Sequence, residues 1–228
     1  MRQLVLDLPV ETRFGPDDFL VSPSNEEAYG LLERWPDWSS TMLHLIGPPG
    51  SGKSHLAAIW AQRADAAVLA AARVSDEVAA ALADAPALVL EDIDQGPLQE
   101  GALFHFVNIA RERRLPLLLT SAEPFERCGI RTPDLLSRLR LAPSVAIQPP
   151  DDALLKAVLV KLFVDRQLVV DTSVVDFLAN RIERSLARAA EVVAALDREG
   201  LSRGRRITRP IAAALIAEDE TGSSSEEP

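Results

Sequence analysis

Short apolar runs alternate with stretches of helical spacing through the first two thirds of the chain, and then the strand-like runs stop. "TMLHLI", "AAVLA", "ALVLE", "LPLLLT" and "SVAIQ" are continuous rather than alternating, the pattern of strands covered on both faces. Five such strands with helices between them predict an α/β domain built on a mostly parallel sheet. A first helix is expected at about 25–35, with Asn25 as N-cap and Pro36 just beyond its end. After "QPPDD" the periodicity becomes purely helical. "DDALLKAVLVKLFVDRQ" opens on Asp caps, "DTSVVDFLANRI" starts at Asp171 or Thr172, and "RSLARAAEVVAALDREG" ends at Gly200, read as a C-cap. "TRPIAAALIAE" adds a last short helix with Pro210 in its first turn. The expected division is an extended segment over 1–12, an α/β domain over 13–148, a small helical domain over 149–217 and a disordered acidic tail over 218–228.

Composition narrows the function classes. The chain has 228 residues, 47% of them apolar, enough for a sizeable core. Net charge is −10, but Glu218, Asp219, Glu220, Glu226 and Glu227 belong to the expected tail, which leaves the folded part near −5. That balance opposes non-specific nucleic-acid binding, which needs a clustered positive surface. The basic run "SRGRRITR" is short and reads as an interhelical connection. The single Cys128 forms no internal disulfide and no metal-type spacing. His44, His55 and His105 are isolated and expected to be ordinary packed or surface residues. With neither a signal-peptide pattern nor a long apolar window, the expected location is cytoplasmic.

Chemistry concentrates in "GPPGSGKS". Gly47, Pro48, Pro49, Gly50, Ser51, Gly52, Lys53 and Ser54 match G-x-x-x-x-G-K-[ST], placed after the strand "TMLHLI" and before the helix "KSHLAAIWAQR". Glycines let backbone N–H groups curl around phosphate oxygens, and the helix aims its positive end at them. Lys53 reaches the terminal phosphates, Ser54 offers a hydroxyl to Mg²⁺, and His55 follows on the first helical turn. "ALVLEDID" puts Glu91, Asp92 and Asp94 at a strand's C-terminal end, where one carboxylate serves Mg²⁺ and another an attacking water. Thr120 and Ser121 end a further strand with hydroxyls that fit a γ-phosphate or nothing more than a polar strand end. Arg138 at the domain edge and Arg188 at the start of a later helix fit phosphate contacts, and fit surface ion pairs equally well.

Together, these motifs with "LSRLRLAPSVAIQPPD" and "RSLARAAEVVAAL" resemble an AAA+ ATPase of the DnaA type, from about Phe14 to Gly200. The resemblance implies a family fold with a helical lid and an adenine site near Phe19, Leu20 and Val21. It implies Walker A roles for Lys53 and Ser54, Walker B roles for Glu91 and Asp92, and a sensor region at Thr120 and Ser121. Arg138 would be an arginine finger and Arg188 a sensor arginine. The expected ligands are ADP or ATP with Mg²⁺, the metal held by Ser54 and Glu91.

The stretch outside that core is similar to the Hda-type DnaA homologues, which inactivate the initiator. After Gly200 there is room for one short helix and the acidic tail, not for a helix-turn-helix domain. "QLVLDL" at the start, with Gln3, Leu4, Leu6 and Leu8, resembles the short peptide with which that family binds the DNA polymerase sliding clamp. In extended form its leucines share one face; the same pattern suits a strand added to the chain's own sheet. Glu91 stands where the family more often has Asp, one methylene longer, so hydrolysis by the chain alone is expected to be weak or absent. The resemblance thus implies two partners, DnaA and the sliding clamp, with no membrane, no direct sequence-specific DNA binding and a possible homo-oligomer. A DnaC-like helicase loader is the alternative; a small-molecule P-loop kinase and a DNA-binding initiator fragment fit less well.

Overall fold

The computed structural model describes residues 18–82, 84–203 and 206–223. The chain divides between Pro149 and Pro150 into two compact units, and each is described by itself.

The first unit holds α1 (Glu26–Glu33), β1 (Met42–Ile46), α2 (Lys53–Ala64), β2 (Ala66–Ala70), α3 (Asp76–Ala81), β3 (Ala87–Glu91), α4 (Glu100–Glu112), β4 (Leu117–Ser121), α5 (Pro133–Leu139) and β5 (Ser144–Ala146). The strands form one five-stranded sheet in the order β2-β3-β4-β1-β5, every pair parallel. Parallel neighbours need crossovers, and here helices supply them. The five expected strands are all present, β2 and β3 with the expected ends.

Strand geometry sends successive side chains to opposite faces, and that rule assigns each residue its work. On one face Leu43, Leu45, Ala87, Val89 and Leu118 pack with Leu56, Trp60 and Ala61 of α2 and Ala28 and Leu32 of α1. On the other, Met42, Leu88, Leu90, Leu117 and Leu119 pack with Leu103, Phe106 and Val107 of α4 and Leu135 and Leu139 of α5. The chain's three tryptophans gather on the first face: Trp38 stacks on Trp60 at 5.1 Å and Trp35 meets the same ring edge-on at 6.0 Å. Asn25 occupies the N-cap position of α1, but its side chain does not cap the helix. It instead stitches the preceding turn, donating to Leu20 O at 3.0 Å and accepting from Ser22 N at 2.9 Å.

The second unit is helical: α6 (Asp152–Asp165), α7 (Thr172–Ala179), α8 (Leu186–Arg203) and α9 (Arg209–Ser223). Leu155, Leu159 and Phe163 of α6, Leu178 of α7, Val193 and Leu196 of α8 and Ile216 of α9 share one core. The two Asp caps are as expected: Asp151 accepts from Leu154 N at 2.7 Å and Asp171 from Ser173 N at 2.8 Å. Two boundaries differ from expectation. Gly200 lies inside α8, which runs on to Arg203. A mid-helix glycine costs only about 1 kcal/mol relative to alanine, too little to end a helix whose face is anchored by Val192, Val193 and Leu196. Likewise α9 continues through Glu218 to Ser223 instead of giving way to a disordered tail at 218, since extending an existing helix is far cheaper than starting one. Residues 224–228 and 1–17, with Gln3, Leu4, Leu6 and Leu8, lie outside the described residues.

All three tryptophans belong to the α/β unit, so intrinsic fluorescence reports that unit's unfolding. Leu119→Ala, a truncation at a fully buried position of the central strand β4, is expected to lower its stability by about 2–5 kcal/mol. A fluorescence-detected urea midpoint unchanged from wild type would contradict this packing.

Candidate functional site

The loop between β1 and α2 is closed by geometry that only glycine tolerates at several points. Gly50 and Gly52 have φ of 71° and 103°, a region costly for any residue with a Cβ. A Cβ on Gly47 would lie 2.6 Å from Ile147 O and 2.8 Å from Ser51 Oγ. Gly47 N–H donates to Ser121 O at 3.2 Å, which ties the loop to the tip of β4. Lys53, the first residue of α2, is buried and turns back over its own loop, donating to Gly47 O at 2.6 Å and Pro48 O at 3.1 Å. Burial lowers its pKa, with Asp92, Asp94 and Glu91 opposing that shift. Among the described residues the buried Ser51 Oγ has no hydrogen-bond partner.

The acidic residues close the site from β3. Glu91 is the last residue of the strand and continues the Ala87, Val89 alternation, so its side chain is on the α2 face. There its carboxylate accepts a hydrogen bond from the Ser54 hydroxyl; burial nevertheless raises its pKa above the ordinary carboxylate value. Asp92 takes a left-handed backbone at φ 57°, and its N–H donates to Thr120 Oγ1 at 3.0 Å. Asp94 Oδ2 accepts from Ala122 N at 3.0 Å, while its buried Oδ1 has no hydrogen-bond partner among the described residues. Glycines, an ammonium group held by backbone carbonyls and a hydroxyl–carboxylate pair fit a polyphosphate carried with Mg²⁺. Ser54 and Glu91 are the pair that would take the metal.

Thr120 and Ser121 do not share a task. As neighbours on one strand they face opposite ways: Thr120 holds Asp92, whereas Ser121 turns toward His44. His44 is fully buried on β1, with Nε2 2.7 Å from Ser121 Oγ, Nδ1 3.2 Å from Ser144 Oγ, and its ring stacked on Phe125 at 3.7 Å. Desolvation lowers its pKa to about 4, and the charge of Glu126 opposes this. A histidine within an apolar strand was the one hint of this environment; its two serine partners lie 77 and 100 residues away along the chain.

Phe19 stacks on Tyr29 at 5.6 Å and meets His55 edge-on at 5.2 Å, so an aromatic cluster stands beside the first turn of α2. Tyr29 was not among the expected site residues, because it reads as one more apolar position of α1. Leu20 lends its carbonyl to Asn25, and Val21 is exposed. Arg138, in the last turn of α5, rests over the Phe104 ring of α4 at 5.6 Å. That ring packs on the face opposite α2, so Arg138 is not gathered with the loop. Arg188 opens α8 in the helical unit, its N–H on Ser185 Oγ at 3.2 Å and its guanidinium on Glu191 at 3.2 Å.

The pH dependence of stability tests the buried histidine. The folded-state pKa of His44, about 4, lies below the unfolded value of about 6.5. The unfolded chain therefore binds the extra proton first, and stability falls as pH drops from about 6.5 to 4, by about 3 kcal/mol from this group. Urea midpoints measured from pH 7.5 to 4.5 should show this loss in wild type and not in His44→Phe; equal slopes in the two proteins would refute it.

Residues 152–215 match the family model described as the Hda lid domain. Among curated proteins, none matches the chain by sequence. The fold is similar to domain III of the Thermotoga maritima replication initiation protein DnaA, with a TM-score of 0.77 at 16% identity over 93% of this chain and 98% of that one. AMPPCP-bound DnaA from Aquifex aeolicus gives 0.68 at 17%, over 81% of this chain and 65% of that one. The Thermotoga maritima RuvB Holliday junction branch migration motor gives 0.68 at 18%, over 90% and 72%. With its parallel five-stranded sheet, its glycine-closed loop after β1 and its helical unit, the chain has a fold similar to that of DnaA domain III, and its residues 152–215 match the Hda lid domain.

Proposed function

We propose that this chain is a nucleotide-bound, clamp-bound regulator that inactivates the replication initiator DnaA by stimulating hydrolysis of DnaA's ATP. The observation that carries the reading is the Hda lid match over 152–215, on a chain whose loop at 47–54 is built for polyphosphate. ADP or ATP with Mg²⁺ is the ligand: residues 47–55 receive the phosphates, Ser54 and Glu91 the metal. The Phe19 cluster takes the adenine and Thr120 contacts the phosphates; a phosphate contact by Arg188 rests on sequence alone. AMPPCP is bound in the Aquifex aeolicus DnaA of similar fold. Own hydrolysis is slow, because Glu91 is longer than the aspartate such a metal site favours and already accepts the Ser54 hydroxyl.

Arg138 acts in trans. Among the described residues its guanidinium has no carboxylate partner, whereas Arg140 two residues on is paired with Glu126 at 2.7 Å. With its Cζ over the Phe104 ring, 5.6 Å from the centroid, the guanidinium has N–H groups to offer phosphate oxygens. Clamp binding through Gln3, Leu4, Leu6 and Leu8 rests on sequence alone. The setting is cytoplasmic, without membrane or direct sequence-specific DNA contact.

Three outcomes test the reading. Lys53→Ala should lose the thermal stabilisation that ADP gives wild type, worth about 2.7 kcal/mol at a hundredfold excess over Kd; equal melting shifts would oppose a nucleotide site here. Alanine at Gln3, Leu4 and Leu6 together should abolish pull-down by the clamp and leave ADP affinity unchanged. Finally, with labelled ATP bound to DnaA and DNA-loaded clamp present, Arg138→Ala should lose most of the stimulation, about 10³–10⁵-fold in other trans arginine systems, and Arg138→Lys should restore little. Full stimulation by Arg138→Ala, or fast hydrolysis by this protein alone, would favour the helicase-loader alternative.

A further inference from the structure

We infer that His44 is a positioning residue for the tip of β4, and that through Ser121 it sets the chain's preference between nucleoside triphosphate and diphosphate. The inference rests on the reading of Thr120 as a contact to the third phosphate. Hydrogen-bond roles around His44 are fixed by one proton count. Ser121 Oγ lies 2.5 Å from Glu123 O and donates to it; a hydroxyl has a single proton, so from His44 Nε2 it must accept. Nε2 then carries the ring proton and Nδ1 is an acceptor, which makes Ser144 a donor. The result is a directed chain of hydrogen bonds, Ser144 to His44 to Ser121 to Glu123 O, crossing β5, β1 and β4.

This chain pins the turn after β4 from the β1 side. Asp94 pins the same turn from the β3 side by accepting Ala122 N–H. Thr120 lies just before the turn with its hydroxyl oxygen on Asp92 N–H, and its hydroxyl proton is left to donate toward a ligand on the α2 face. The position of that hydroxyl is therefore over-determined, and His44 clamps it from the opposite face, where Cys128 also meets Ser121 and the Glu123 carbonyl. The ring contributes twice, by its two nitrogens and by its stack on Phe125. A phenylalanine keeps the stack and the volume while deleting only the hydrogen bonds, which separates positioning from packing.

The test is calorimetric titration of the full chain with AMPPCP and with ADP. A third-phosphate contact bears only on the triphosphate, so His44→Phe should weaken AMPPCP binding by about tenfold while ADP affinity stays within about twofold. Ser121→Ala, which removes the acceptor and barely touches the core, should give the same shift and carries the test if His44→Phe fails to fold. The double variant should shift no further than either single one, because both cut one hydrogen-bond chain. His44→Gln, which can still donate to Ser121, should recover part of the preference. A ratio of affinities equal to wild type in His44→Phe and Ser121→Ala, or an equal loss for both nucleotides, overturns the inference. Thr120→Val distinguishes the two levels: if it shifts the ratio and the His44 and Ser121 variants do not, the inference alone falls; if it leaves the ratio unchanged, the sensor reading falls with it.

Discussion

The parallel pairing of β4 between β3 and β1 is the constraint from which the rest of the α/β unit follows. Parallel strands bring their C-terminal ends to one edge of a sheet, and at that edge the loop after β1, the carboxylates after β3 and the hydroxyls ending β4 become neighbours. Their separation along the chain is irrelevant once the register is set. The same pairing dictates which face each residue occupies. Glu91 and Thr120 belong to the α2 side, His44 and Ser121 to the side of α4 and α5, and a slip of one residue would exchange them.

Hydrogen bonds then do at the edge what apolar packing does in the middle. Gly47 N–H on Ser121 O, Asp92 N–H on Thr120 Oγ1, Ile93 N–H on Thr120 O and Ala122 N–H on Asp94 Oδ2 link three strand ends into one lattice. None of these bonds needs a ligand, so the edge is organised in advance, which reduces the ordering cost of binding. Raised and lowered proton affinities sit together here: burial pushes Glu91 up and Lys53 down, the signature of charged groups gathered in a crevice.

The loop at 47–54, the five strands and the Asp caps of α6 and α7 were all legible in the sequence, because each depends on residues close together in the chain. Three features were not. Gly200 carries the usual cap signal, yet the α8 face buried through Val193 and Leu196 outweighs it. Asn25 has the identity of a helix cap but spends both ends of its amide on the turn before the helix, a choice visible only once Leu20 O is placed. Ser121 looked equivalent to Thr120 in a linear reading, and the alternation of a strand gives them opposite neighbours. The aromatic contacts of Phe19 with Tyr29 and His55, and of Arg138 with Phe104, are likewise products of topology.

Lys53 illustrates what such pre-organisation means thermodynamically. With its ammonium already bonded to Gly47 O and Pro48 O, anion binding at this loop is an exchange reaction. The incoming oxygens compete with two carbonyls that sit on the same loop, and the measured affinity is a difference between two sets of hydrogen bonds. Removing the lysine erases both sides of that difference. The ligand-free protein loses an internal tie that holds the loop's curvature, so its ground state changes along with the complex, and the deficit measured for such a variant understates the strength of the lysine–phosphate contact.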